Sequence, residues 1–145
     1  LSQDTFMPDG SYSPYSALAR FQRKPLFLKL ELLSDVYSFH AFAERKGYMA
    51  CALSEDHILW DHGSDSLIVG NVDLYHPFPV INGENRREGV PRYLAPEEYI
   101  QGARLDGAAT EYALGVLGFA VLGKNGARQR EGFAAPDAVC DTQQS

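Results

Sequence analysis

Between Asp56 and His76 the chain concentrates side chains that can bind a metal or move a proton: Asp56, His57, Asp61, His62, Asp65, Asp73 and His76. Imidazole nitrogens and carboxylate oxygens are the donors of catalytic zinc and related centres. If residues 58–60 form a strand, His57 and Asp61 share one face and could chelate, the arrangement of a metal-dependent hydrolase. The surrounding pattern does not match a hydrolase, and His62 begins a turn, so a solvated histidine–aspartate pair at a hairpin is the plainer reading. Asn71 and Asp73 lie two apart in a segment read as extended, where both side chains point the same way. Asp73 is thereby a weak candidate metal contact beside Asn71.

Other reactive residues are more dispersed. Arg86, Arg87 and Arg92 could grip a phosphate or an acidic peptide. The alternative pairs Arg92 with Glu97 or Glu98 and leaves Arg86 and Arg87 solvated, the usual state of loop charges. Cys51 lies in an apolar run and reads as a small buried hydrophobe rather than a low-pKa thiolate. Cys140 sits in a polar tail. Ser64 and Ser66 are turn residues, and no Gly-x-Ser-x-Gly elbow occurs.

The elements that must hold these groups follow from periodicity and punctuation. Residues 1–12 read as an irregular lead-in. Ser13-Pro14 is a helix start, hydroxyl at the cap and proline in the first turn, for a short helix to about Arg23. Pro25 opens a longer helix that Gly47 ends. Its apolar residues fall on two stripes, Leu26, Leu30, Leu33 and Tyr37 beside Leu28, Leu32, Val36 and Phe39, which predicts a helix mostly surrounded by protein. Apolar runs at 58–60 and 67–69 flank a turn-rich segment, the pattern of a β-hairpin. Residues 76–96, with Pro77, Pro79, Pro91 and Pro96, read as a long loop. A short helix follows Pro96. Residues 108–122 are apolar nearly all round, which predicts a buried helix stopped at Gly123. Residues 124–145 form a partly ordered tail.

Size and composition set the outer bounds. The chain has 145 residues, 45% hydrophobic and 22% charged, with a net charge of −6. That fits one folded domain. It lacks the basic footprint of a nucleic-acid binder, so no nucleic-acid partner is expected. Two cysteines cannot build a disulfide framework, and a reducing cytoplasm is the default. No secretory leader is visible in residues 1–15, no apolar run reaches the ~20 residues of a membrane span, and the start on Leu1 suggests a fragment or processed product.

One stretch carries a family likeness. Gly89-Val90-Pro91-Arg92-Tyr93-Leu94-Ala95-Pro96-Glu97-Glu98, followed by Tyr112-Ala113-Leu114-Gly115, resembles the end of a protein kinase activation segment and the helix after it. With Gly47-Tyr48-Met49-Ala50-Cys51-Ala52 and Asn71-Val72-Asp73-Leu74-Tyr75, it is similar to a bacterial serine/threonine-kinase-like branch. The likeness spans residues 13–123. It implies an α+β, mainly helical fold: a kinase-like C-terminal lobe with a small β-hairpin, residues 73–98 being activation-segment-like.

The resemblance also implies where the chemistry should sit. Phosphoryl transfer needs carboxylates on Mg²⁺ and one on the attacking hydroxyl. The catalytic aspartate falls on Ala52, the metal-binding asparagine on His57 and the metal-binding aspartate on Asn71. The threonine of Gly-Thr-Pro falls on Val90, and the aspartate that braces the catalytic loop falls on Thr110. Gly89, Pro91, Pro96, Glu97, Leu114 and Gly115 stand. No glycine-rich nucleotide loop precedes them. The expectation is therefore a catalytically degenerate, pseudokinase-like cytoplasmic domain that works through a protein partner or self-association, without cofactor and without membrane. The alternatives are an active serine/threonine kinase using ATP and Mg²⁺ with an N-terminal lobe outside this chain and, third, the metal-dependent hydrolase. A lobe without its partner should also expose an apolar rim near the hairpin.

Overall fold

The computed structural model of the protein describes residues 3–6, 15–83 and 90–123. Three helices carry the apolar bulk: α1 (Ala17–Gln22), α2 (Leu26–Arg45) and α3 (Gly107–Leu122). Seven short strands surround them: β1 (Gln3–Thr5), β2 (Tyr48–Ala50), β3 (Ile58–Asp61), β4 (Ser66–Val69), β5 (Tyr75–Pro77), β6 (Val80–Ile81) and β7 (Arg104–Leu105). They form three separate antiparallel sheets, ordered β1-β3-β4, β2-β5 and β6-β7.

This architecture corrects the expected fold class. Three helices with several short antiparallel strands are what the described residues form, and a kinase C-terminal lobe is not shown. The hairpin β3–β4 does form, in the register Ile58 opposite Val69. It is not a lone hairpin, because β1 pairs along β3 as a third strand, Asp4 opposite Trp60. The lead-in at residues 3–5 is thus sheet. The 76–96 segment also contributes two strands, β5 and β6, and two 3₁₀ turns, Pro91–Tyr93 and Pro96–Tyr99, where a long loop was expected.

Local chemistry explains the helix ends. α1 starts at Ser16, whose hydroxyl accepts the Ala19 N–H at 3.1 Å; Ser13-Pro14 lies outside the described residues. Arg45 ends α2 one residue before Lys46, and Gly47 follows at φ +86°, where a side chain would be strained. Asp106 caps α3 by accepting the Ala108 N–H at 2.9 Å.

The core gathers Phe6, Leu18, Phe21, Leu33, Val36, Leu53, Ile58, Leu117 and Val121. Phe21 sits between Phe6 (ring centroids 5.4 Å) and the edge of Trp60 (5.5 Å), joining α1 to the three-stranded sheet. α2 is not mostly surrounded, contrary to its two-stripe pattern. Leu32, Leu33, Val36 and His40 are buried, while Phe27 is 71% exposed, and Leu26, Leu30, Phe39 and Phe42 face solvent as well. α3 buries Ala109, Ala113, Val116, Leu117, Ala120 and Val121, and shows Ala108, Glu111, Gly115 and Phe119 outward at intervals of three and four.

Candidate functional site

The positions singled out in the sequence converge on the turn that follows β2. Thr110 of α3 anchors it: its Oγ1 accepts the Ala50 N–H at 2.9 Å. The Cys51 N–H donates to the Leu74 carbonyl at 2.8 Å, which ties the turn to the segment after β4. Ala52 then adopts φ +62°, a left-handed conformation in which a Cβ is disfavoured. Residues Glu55–His57 make a 3₁₀ turn leading into β3. The His57 carbonyl accepts the Gly70 N–H at 2.8 Å, so the 52–57 turn and the Asn71 segment are neighbours across the hairpin base.

The side chains in this turn are engaged in holding it. Asn71 does not lie in a strand with Asp73, as the extended reading expected. It caps the 3₁₀ turn Val72–Leu74, its Oδ1 accepting the Asp73 N–H at 3.0 Å, while the Asp73 side chain is exposed. His57 Nδ1 lies 3.4 Å from Ser54 Oγ. Among the described residues no three of His, Cys, Asp and Glu are grouped to hold a metal ion. Asp61 uses Oδ1 to accept the Gly63 N–H at 2.9 Å, as a turn-forming aspartate does. His62 stacks on Trp60 at 4.4 Å and reaches Asp4 at 3.0 Å. Cys51 is buried.

The activation-segment-like residues dock on the same turn, by a contact that spacing did not reveal. Arg92 pairs with Glu55, where Glu97 or Glu98 was the expected partner. Glu55 is 1% exposed, and its other oxygen, Oε2, has no partner among the described residues. Glu98 turns inward on its own segment, Oε2 accepting the Ala95 N–H at 2.7 Å. The neighbouring Tyr93 is also 1% exposed, and burial pushes its phenol well above its ordinary range. Val90 and Ala95 pack inward, and Pro91 and Pro96 each open a 3₁₀ turn; Gly89, Arg86 and Arg87 lie outside the described residues. Sequence reasoning missed Glu55 because its burial depends on the distant segment 90–95 that packs over it. The available signal was an arginine two residues before a buried-type Leu-Ala pair, which requires a counter-charge somewhere.

A second feature lies between α2 and α3. Tyr37 donates its hydroxyl to the Leu114 carbonyl at 2.8 Å, and Glu44 packs against Gly107, so the helices run in opposite directions. A cavity of about 330 Å³ opens here, lined by Tyr37, His40, Ala41, Glu44, Thr110, Glu111, Leu114 and Gly115. His40 forms its buried floor. Its Nδ1 faces the Val36 carbonyl at 2.7 Å, and a carbonyl can only accept, so Nδ1 donates. In the neutral ring Nε2 then accepts from the Tyr75 hydroxyl, 2.6 Å away. Burial lowers the His40 pKa from 6.5, against a smaller opposing effect of the Val36 hydrogen bond, which favours that neutral form.

The apolar rim expected at the hairpin amounts to Ile68 and Val72; more exposed apolar side chains lie on α2, namely Leu26, Phe27, Leu30, Phe39 and Phe42. Among the described residues no helix is long and apolar enough to cross a membrane. Compared with protein-family models and with curated proteins, the chain matches none.

Proposed function

We propose that this chain is a protein kinase-related domain that has lost phosphoryl transfer and works by holding a protein partner in a cytoplasmic setting. The proposal concerns the motif Gly89–Glu98 and the chemistry that should accompany it, not the C-terminal-lobe architecture. The observation that carries it is the state of the turn after β2. Where transfer needs a carboxylate to accept the hydroxyl proton, the turn offers the methyl of Ala52. Where it needs a charged metal ligand, Asn71 offers an amide oxygen already accepting the Asp73 N–H. The buried carboxylate of the turn, Glu55, is neutralised by Arg92. Asn71 and Thr110 hold the backbone by hydrogen bonds where the resemblance would put carboxylates, and a fixed backbone serves recognition.

A Mg²⁺–ATP titration of the full chain followed by thermal unfolding tests this. The expected result is no shift in Tm at millimolar nucleotide. A ligand at 100 times its Kd stabilises by about 2.7 kcal/mol, so a saturable, Mg²⁺-dependent rise in Tm overturns the proposal. The double variant Ala52→Asp/Asn71→Asp is expected to show no ATP turnover; turnover would point to an active phosphotransferase ancestor only two substitutions away.

A further inference from the structure

Strand β5 reaches α2 through one side chain. His76 and Pro77 are exposed, and Tyr75 is half-buried. Among the described residues, the backbone hydrogen bonds of 74–78 run to residues 47–51, that is, to β2 and its flanks. β2 has anchors of its own: Met49 is 0% exposed, Ala50 3%, and the Ala50 N–H is held by Thr110 Oγ1. What ties β5 to α2 is the Tyr75 hydroxyl on His40 Nε2 at 2.6 Å, backed by the edge-on ring of Phe39. A two-stranded ladder of three residues is marginal by itself, so this tie decides whether β5 stays paired.

The tie depends on the protonation of one nitrogen. Val36 fixes the His40 tautomer: its carbonyl takes the Nδ1 proton at 2.7 Å, which leaves on Nε2 the lone pair that Tyr75 uses. A second proton on the ring can go only to Nε2. Two donors then face each other across 2.6 Å, and the Tyr75 hydroxyl hydrogen loses its acceptor. The proton has a way in, because His40 borders the groove between α2 and α3. The titratable groups around the ring are Tyr37 and Glu44 of α2, Glu111 of α3, Tyr75 and His76 of β5, and Tyr48 of β2. Glu44 and Glu111 line the groove with His40 and favour its charged form, while burial opposes it.

We propose that His40 is an acid-operated catch for β5: protonation of Nε2 removes the acceptor of the Tyr75 hydroxyl and frees the strand, while β2 and the helices stay folded. The device stands whether or not the chain holds a protein partner. It acts on one wall of the turn after β2, since the Leu74 carbonyl accepts the Cys51 N–H just before β5 begins.

Hydrogen–deuterium exchange of the full chain tests it, read by peptide mass spectrometry at pH 7.5 and pH 5 and corrected for the intrinsic exchange rate. Between the two, exchange in 75–78 is expected to rise about tenfold or more relative to 113–121 of α3, because the open form binds a proton on His40 that the closed form refuses. His40→Gln takes away the titrating group and should abolish the rise. Tyr75→Phe should raise β5 exchange already at pH 7.5 and leave it without pH dependence, because the proton then has no bond to break. Equal exchange of β5 at both pH values, a parallel rise in β5 and α3, or a rise that survives either substitution overturns the proposal. Tyr75→Phe keeps the ring and removes one hydroxyl, so it decides the matter even where His40→Gln does not fold.

Discussion

The junction of Glu55 with Arg92 and the seam between α2 and α3 are both built where two segments distant in sequence meet around a carboxylate, yet one is shut and the other is open. At the junction, a buried carboxylate meets an arginine, and the segment 90–95 closes over it with Tyr93, Leu94 and Ala95 buried. At the seam, Glu44 and Glu111 meet no cation among the described residues, and two glycines of α3 differ in what a side chain there would meet. Gly118 is filled by Tyr37, whose hydroxyl oxygen is 2.5 Å from where a Cβ would stand, while Gly115, one turn earlier, faces empty space. The difference shows that charge satisfaction goes with closure here. Where the acid found an internal partner the surface sealed, and where it did not a groove remained.

The comparison breaks most visibly at the junction. Arg92→Met leaves Glu55 buried without its counter-charge, and removing one partner of a buried pair is expected to cost about 3–5 kcal/mol. Denaturant unfolding at pH 7 measures it; a loss under about 1 kcal/mol would mean that Glu55 reaches solvent or another cation and that the junction is no more closed than the seam. The next effect is at the seam's closed end. Gly118→Ala drives a methyl into Tyr37 and should destabilise by about 1–3 kcal/mol, the range for overpacking.

The same substitution one turn earlier should have the opposite sign. Gly115→Ala replaces a poor helix former where nothing obstructs the methyl, for a gain of about 0.5–1 kcal/mol. If both variants lose stability, Gly115 is not open and the groove is narrower than described. Ala52→Gly probes the turn itself: relief of a left-handed Cβ should stabilise by about 0.5–1 kcal/mol, and a loss would show that the Ala52 methyl packs usefully.

The smallest effect is absent at pH 7 and grows with acid. His40 has its pKa lowered by burial, so between its folded value and 6.5 the unfolded chain binds a proton that the folded chain does not. Its contribution is intact above pH 6.5 and is lost as pH falls through the folded pKa. Tm should therefore drop on acidification, and His40→Gln should flatten that slope; an unchanged slope would assign the acid sensitivity to carboxylates elsewhere.

How much of this was legible depends on how local the physics is. The turn chemistry of 61–66, the stop at Gly47 and the extents of α2 and α3 lie in short windows, and the sequence pattern locates them. The pairing of Gln3–Thr5 with β3, or of Tyr48–Ala50 with β5, involves strands of three residues with no periodicity to speak of, and the partner is set by tertiary packing rather than by either segment. For the same reason a likeness carried mainly by residues 89–98 does not fix the architecture of residues 13–123. α2 misled in another way: its apolar residues circle the helix, and only the neighbours decide that Leu33 is inside and Phe27 outside. Of the candidate residues, Thr110 proved to brace the turn through Ala50, whereas the counter-charge of Arg92 needed the fold to identify it.

Trp60 is the single tryptophan of the chain. Its indole N–H donates to Asp65 at 2.9 Å, His62 stacks on its ring, and Lys24 stands 4.9 Å from its centroid. Intrinsic fluorescence of this protein is therefore a one-site signal, sensitive to the docking of α1 on the three-stranded sheet. α1 links α3 to this ring: Gln22 donates from α1 to the Ala120 carbonyl on α3, and Phe21 touches Trp60 edge-on. A displacement of that end of α3 would reach Trp60 through α1, which makes the short helix an optical relay from α3 to the three-stranded sheet.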